Sequence, residues 1–197
     1  MENYAITISR QFASLGRTIA KKMSEELKIE YYDRDIVEET SKRMGQPIPL
    51  ISNEEESASS SFFQRKYPLG IGITNFQDEI FEVQTNIIRD LTKKESCIIV
   101  GRCASSILKD HPRCLNIYVY APYEWRLHNC IETLKMDPKT AKKMIKEVDM
   151  AREKYRLRYG KDIENAYSGY NVMIDSSRFG VDKTASILTQ IVKDTLL

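Results

Sequence analysis

"ITISRQFASLGRTIAKKM", Ile6 to Met23, decides the fold. It opens on an apolar run, and Tyr4 to Ile8 reads as a strand. The chain then turns, reaches Gly16-Arg17-Thr18 and continues as a helix from Arg17 to Leu27. Ile19, Ala20, Met23 and Leu27 recur there at helical spacing. A helix entered this way starts with unpaired amides and a partial positive charge, so its N-terminus attracts anions. Gly16 lets the backbone approach such an anion closely.

A phosphate-binding loop reads G-x-x-x-x-G-K-[ST]. Here the first glycine is missing and Arg17 stands where lysine is expected, followed by Thr18, whose hydroxyl suits Mg²⁺. Arg17 carries the same charge on a larger planar fork, so it is not a simple replacement. An ordinary strand-to-helix turn with one glycine is the competing reading.

Further along, "IEYYD" (Ile29 to Asp33) reads as a short strand, and "RDIVEETSKRMG" as a helix stopped by Gly45. Gln46 to Ser61 holds two prolines, an acidic triplet and a serine cluster, and reads as a loop or insert. Phe76 to Leu91 has helical periodicity. "CIIVG" (Cys97 to Gly101), "LNIYVYA" (Leu115 to Ala121) and "NVMID" (Asn171 to Asp175) read as strands, the first two as the continuous apolar runs of a parallel sheet buried on both faces. Strands alternating with helices predict an α/β fold. Ligands in such sheets sit beyond the carboxyl ends of the strands. Those ends are Ser9-Arg10, Asp33-Arg34, Gly101-Arg102 and Asp175-Ser176, and three of the four carry an arginine. Converging arginines bind phosphate or carboxylate.

Pro138 to Gly160 reads as a basic helix in which Asp149, Arg152 and Arg156 share a face, with Tyr155 and Tyr159 beside it. A solvated charged helix is the bland reading; a lid whose arginines neutralise a transferring phosphoryl group is the sharp one.

The bulk numbers limit the alternatives. A chain of 197 residues suits one domain. Thirty basic against 28 acidic residues argue against a general nucleic-acid binder, so any basic site is local. The cysteines, Cys97, Cys103, Cys114 and Cys130, form no C-x-x-C pair, and with His111 and His128 give no zinc spacing. Reduced thiols, no basic leader before an apolar core and no long apolar run make the cytoplasm the expected compartment, with no membrane partner.

The ordered set "AITISRQFASLGRTIAKKM", "LKIEYYDRDIVEE", "IIVGRCAS", "LNIYVYAPYEWRL", "VDMAREKYRLRYG" and "VMIDSSRFG" resembles the cytidylate kinase-like family. These are P-loop relatives of cytidylate kinase within the nucleoside monophosphate kinase group. The resemblance runs almost end to end. It implies a P-loop NTPase-type three-layer α/β/α domain with a five-stranded parallel sheet. Its core would be residues 1–32, 92–135 and 168–197, with an acceptor-binding insert at about 33–91 and a lid at about 136–167. It implies phosphoryl transfer from ATP, with Mg²⁺, to a small phosphorylated acceptor, as in (d)CMP kinase. Ser14, Leu15, Gly16, Arg17 and Thr18 would lie on the donor phosphates, with Thr18 also on Mg²⁺. Asp33, Arg34 and Arg102 would bind the acceptor; Arg17, Arg152 and Arg156 would be catalytic.

The chain departs from cytidylate kinase in three places: Arg17 for lysine, Ala13 and Leu15 in a loop usually richer in glycine, and Cys103 where an acidic residue stands. Two further functions follow from these departures: a kinase for a different anionic small molecule, or a nucleotide-binding regulatory protein that has lost transfer. The sequence does not set the oligomeric state.

Overall fold

A computed structural model describes residues 2–56, 73–160 and 164–197. In chain order the elements are β1 (Ala5–Arg10), α1 (Gly16–Leu27), β2 (Glu30–Tyr32), α2 (Arg34–Met44) and α3 (Ile48–Glu56). They continue with α4 (Ile73–Lys94), β3 (Cys97–Val100), α5 (Ala104–Ile107), β4 (Cys114–Tyr120), α6 (Tyr123–Glu132), α7 (Pro138–Tyr159), β5 (Val172–Asp175) and α8 (Ser176–Leu196). The five strands form one sheet in the order β2-β3-β1-β4-β5, and every pairing is parallel.

The two central strands explain the two faces. On β1, Ile6 and Ile8 point one way and Ala5 and Thr7 the other, and all are buried. On β3, Ile98 and Val100 join Ile6 and Ile8, while Cys97 and Ile99 join Ala5. The first face packs against Ile19, Ala20 and Met23 of α1 and Ala185, Leu188 and Val192 of α8. The second packs against Ile36 of α2 and Ile87 and Ile88 of α4.

Toward β4 and β5 the second face changes character. Thr7 donates to Asn116 (2.7 Å), and the Asn116 amide donates to the side chain of Asn171 (2.8 Å). The rings of Tyr118 and Tyr170 lie 4.9 Å apart. This polar end of the sheet carries the site.

The sequence reading of Gln46 to Ser61 as a loop is corrected over its first part, because α3 occupies Ile48–Glu56. Its prolines sit where a helix tolerates them. Pro47 precedes it, and Pro49 falls in the first turn, where a missing N–H costs nothing. Ile51 is fully buried beside Val37 and Ile80, so tertiary packing overrides a polar local pattern. The rest of that stretch, from 57 to 61, lies outside the described residues. Among the described residues no helix is long and apolar enough to cross a membrane.

Candidate active site

The turn between β1 and α1 is held from beneath by side chains. Its carbonyls are taken in succession. The Ser14 hydroxyl lies 2.9 Å from the Gln11 carbonyl, and Arg126 donates to that of Phe12 (3.2 Å). Asn129 donates to that of Ala13 (3.0 Å), and Ser176 to that of Ser14 (2.8 Å). Asp149 of α7 accepts from the Phe12 amide (2.7 Å) and pairs with Arg126 (2.5 Å). Carbonyls so engaged are unavailable to repel an anion. The amides of Gly16, Arg17 and Thr18, at the start of α1, have no partner within the helix.

Backbone conformation supports the same reading. Ala13 (φ 59°) and Leu15 (φ 61°) are left-handed without being glycine. So are Arg102 (φ 58°) and Cys103 (φ 51°), which follow Gly101 (φ 80°) at the end of β3. Such residues carry strain, which concentrates at functional sites. Here it concentrates in two loops at one sheet edge.

A cavity of about 260 Å³ opens at this edge. Its walls include Arg10, Arg102, Arg152 and Arg156, with Asp149, Glu153 and the two tyrosines 118 and 170. Arg156 grips Glu153 with two parallel bonds of 3.0 Å, and its Nη1 is buried with no hydrogen-bond partner. Arg152 donates to the Arg10 carbonyl (3.2 Å). The Arg102 guanidinium is drawn down to about 10, first by burial and then by the positive charges of Arg10 and Arg17; Asp33 opposes the shift. Burial pushes the Cys103 thiol up to about 12, and its sulfur approaches the Tyr155 carbonyl (3.7 Å).

Asp33, buried at the end of β2, forms ion pairs with Arg17 and with Arg10, the latter at 3.7 Å. Neither of its oxygens receives an aligned hydrogen bond. Arg17 is half-exposed, so its pairing with Asp33 is easily exchanged.

Of the residues expected from sequence, Arg102, Arg152 and Arg156 meet in the cavity. Arg17 and Asp33 meet each other beside Arg102. Thr18 is exposed on the first turn of α1. The Ser14 hydroxyl is spent on main-chain carbonyls, leaving only its backbone for a ligand. Arg34 is exposed at the start of α2 and does not line the cavity. Sequence reasoning marked Arg10 only as a strand end. Its side chain crosses two glycines, Gly16 and Gly101, a path that no local pattern announces. Arg126 and Asn129 were missed because helical periodicity does not distinguish a buried arginine that holds a loop from a solvated one.

Among the described residues no three His, Cys, Asp or Glu side chains group to hold a metal ion. The Thr18 hydroxyl, which the sequence reading gave to Mg²⁺, is exposed on the first turn of α1.

Comparison with solved structures supports the fold. A crystal structure of an uncharacterized protein from Eubacterium ventriosum is 24% identical, with a TM-score of 0.72 over 97% of this chain and 99% of that one. Shikimate kinase from Bacteroides thetaiotaomicron is 10% identical, with a TM-score of 0.60 over 96% and 98%. Shikimate kinase from Acinetobacter baumannii, in complex with shikimate, is 16% identical, with a TM-score of 0.53 over 99% and 96%. No curated protein matches the chain significantly. The fold is of P-loop NTPase type, a nucleotide-binding kinase-type architecture. The sequence profile of the cytidylate kinase-like family matches residues 5–178, nearly the whole domain, and the chain belongs to that family.

Proposed function

We propose that the protein transfers a phosphoryl group from ATP to a small phosphorylated acceptor, with Mg²⁺. The observation that carries this is the braced loop of Gln11 to Leu15, leading into the α1 N-terminus beside a cavity walled by four arginines. Phosphoryl transfer needs little covalent help from the protein; it needs positioning and charge neutralisation.

In this reading the backbone of Ser14 to Thr18 holds the donor phosphates, and Arg17 leaves Asp33 to join them. The Thr18 hydroxyl would help hold Mg²⁺, which would supply further charge neutralisation at the phosphates. Asp33, released from Arg17, positions the acceptor. Arg102 binds the acceptor's anionic group. Arg152 and Arg156 come from α7, whose Asp149 is tied to the Phe12 amide, so the helix is already registered on the loop. Their charge counts most when it spreads over the transferring oxygens.

Thermal shift with ATP and Mg²⁺, followed by coupled ADP release over a panel including CMP, dCMP, shikimate and sugar phosphates, tests the proposal. Saturation at 100 times Kd stabilises the fold by about 2.7 kcal/mol. No shift with any nucleotide sinks it. A shift without ADP release from any acceptor selects the second reading, a nucleotide-binding regulator. The held Arg17–Asp33 pair is the observation that favours that alternative.

A further inference from the structure

Asp149 lines the cavity, yet each of its oxygens already accepts from the protein. Oδ1 takes the Phe12 amide at 2.7 Å, and Oδ2 takes Nη1 of Arg126 at 2.5 Å. The same Nη1 donates to the Phe12 carbonyl at 3.2 Å. One ion pair thus closes a ring on both the amide and the carbonyl of a single loop residue. Hydrogen bonds to ionised partners are stronger than neutral ones, so Phe12 is held more firmly than an ordinary turn residue.

Further contacts join the same helix to the same loop. Arg152 donates to the Arg10 carbonyl (3.2 Å). Ala141 and Ile145 form an apolar cluster with Cys130 of α6, and Phe12 and Ala13 pack against it. Residues 141, 145, 149 and 152 follow the spacing of one helix face. That face is docked on the loop from Arg10 to Ala13. The sequence reading made α7 a lid. Docked in this way, α7 moves as a rigid helix only by carrying the loop with it or by breaking the Phe12 bond. Arg152 rides on the docked face, and Arg156 lies one turn further along the helix, gripping Glu153 at the cavity wall.

We infer that Asp149 is a positioning residue that couples the donor loop to α7, an inference that rests on the transfer reading. It acts through Phe12 and not by contact with either substrate. Phosphates on the backbone of Ser14 to Thr18 order the loop. Through Phe12 and Asp149 that order passes to α7, which sets Arg152 and Arg156 for the acceptor. Such coupling is reciprocal, so an acceptor that settles α7 also favours nucleotide on the loop.

Hydrogen exchange along α7 reads this directly. The full chain is compared with and without saturating Mg²⁺ and a non-hydrolysable ATP analogue, and binding is followed separately by calorimetry. In the wild type the analogue is expected to slow exchange of the amides from 149 to 156 by at least about fivefold. Asp149→Ala is expected to bind the analogue within about tenfold of wild-type affinity and to lose the α7 response. Val192→Ala, in the core on the other face of the sheet, is expected to lose stability and keep the response, which separates positioning from general loosening. A response that survives in natively folded Asp149→Ala overturns the coupling, as does its absence from a wild type that binds the analogue. Should Asp149→Ala fail to fold or to bind, Asp149→Asn replaces it. Its one side-chain carbonyl oxygen cannot serve both the Phe12 amide and Arg126, so the response is expected to shrink, and an undiminished response overturns the coupling. A wild type that ignores the analogue overturns the transfer reading, and the coupling falls with it.

Discussion

Arg126 and Arg102 are both drawn out of water at the same end of the sheet, yet their surroundings are opposite. Arg126 is 8% exposed and satisfied: it donates to the carbonyls of Ala121 and Phe12 and pairs with Asp149. Arg102 is partly buried on a left-handed turn, with the positive charges of Arg10 and Arg17 acting on it. One arginine is spent on the fold. The other lies beside like charge that burial makes costlier and that Asp33 offsets in part. A buried cation engaged with a loop's carbonyls serves the scaffold, and one beside like charge gains when an anion binds nearby.

The comparison breaks first at Arg126. Arg126→Met strands Asp149 and two carbonyls, and is expected to cost about 3–5 kcal/mol, a Tm fall on the order of 10 °C. A melt within 2–3 °C of wild type, on the order of 1 kcal/mol, would show that the loop is not braced from below.

Arg102→Gln is expected to do the reverse. It relieves crowding, so Tm stays level or rises by a few degrees, while phosphoryl transfer falls by roughly a hundredfold. Here the pKa direction is informative. A base whose folded pKa is depressed opposes folding while charged, and that penalty fades as pH rises through the folded value of about 10. Wild type is therefore expected to gain on the pH axis, between pH 9 and 11, relative to Arg102→Gln. Parallel pH–stability curves for the two proteins would remove the distinction drawn between these arginines.

Cys103 sharpens the comparison because it follows Arg102 and faces α7. With its thiol near 12, the thiolate fraction at pH 8 is on the order of 1 in 10⁴, so alkylation by iodoacetamide is expected only after unfolding. An acid whose folded pKa is raised loses its stabilising contribution as pH climbs past the unfolded value, so this thiol favours the fold below about pH 9. Rapid labelling of native protein at pH 8, traced to Cys103 by peptide mapping, would show that the α7 contact opens readily.

The smallest effect is expected at the far end of α7. Tyr159 stacks on Phe81 of α4 (4.2 Å) and donates to Asp78 (2.8 Å). Tyr159→Phe keeps the stack and loses an exposed hydrogen bond, so Tm is expected to fall by less than about 1 kcal/mol equivalent. A larger loss would make the α4–α7 contact, rather than Arg126, the main anchor of that helix.

Much of this was legible in the chain. Short apolar runs gave β1, β3 and β4 within a residue or two, and Gly45 ended α2 as a left-handed cap. Shared-face spacing placed Asp149, Arg152 and Arg156 together, and all three line the cavity. α3 was not legible, because the burial that decides it, that of Ile51, is made by Val37 and Ile80, which lie elsewhere in the chain. Ser14 read as a ligand group, although its hydroxyl lies against the carbonyls of Gln11 and Val119.

By itself the sequence determined which groups stand at the strand ends, because a parallel sheet brings all its carboxyl ends to one edge whatever the helices do. Only the tertiary structure decided which of those groups are spent on one another. Gln11 to Leu15 contains no feature that announces Arg126, Asn129 and Ser176 as the holders of its carbonyls. Nothing local to Gly16 or Gly101 announces that Arg10 crosses both. These are contacts between residues about 6 to 160 positions apart, and they depend on packing distances that no local pattern encodes.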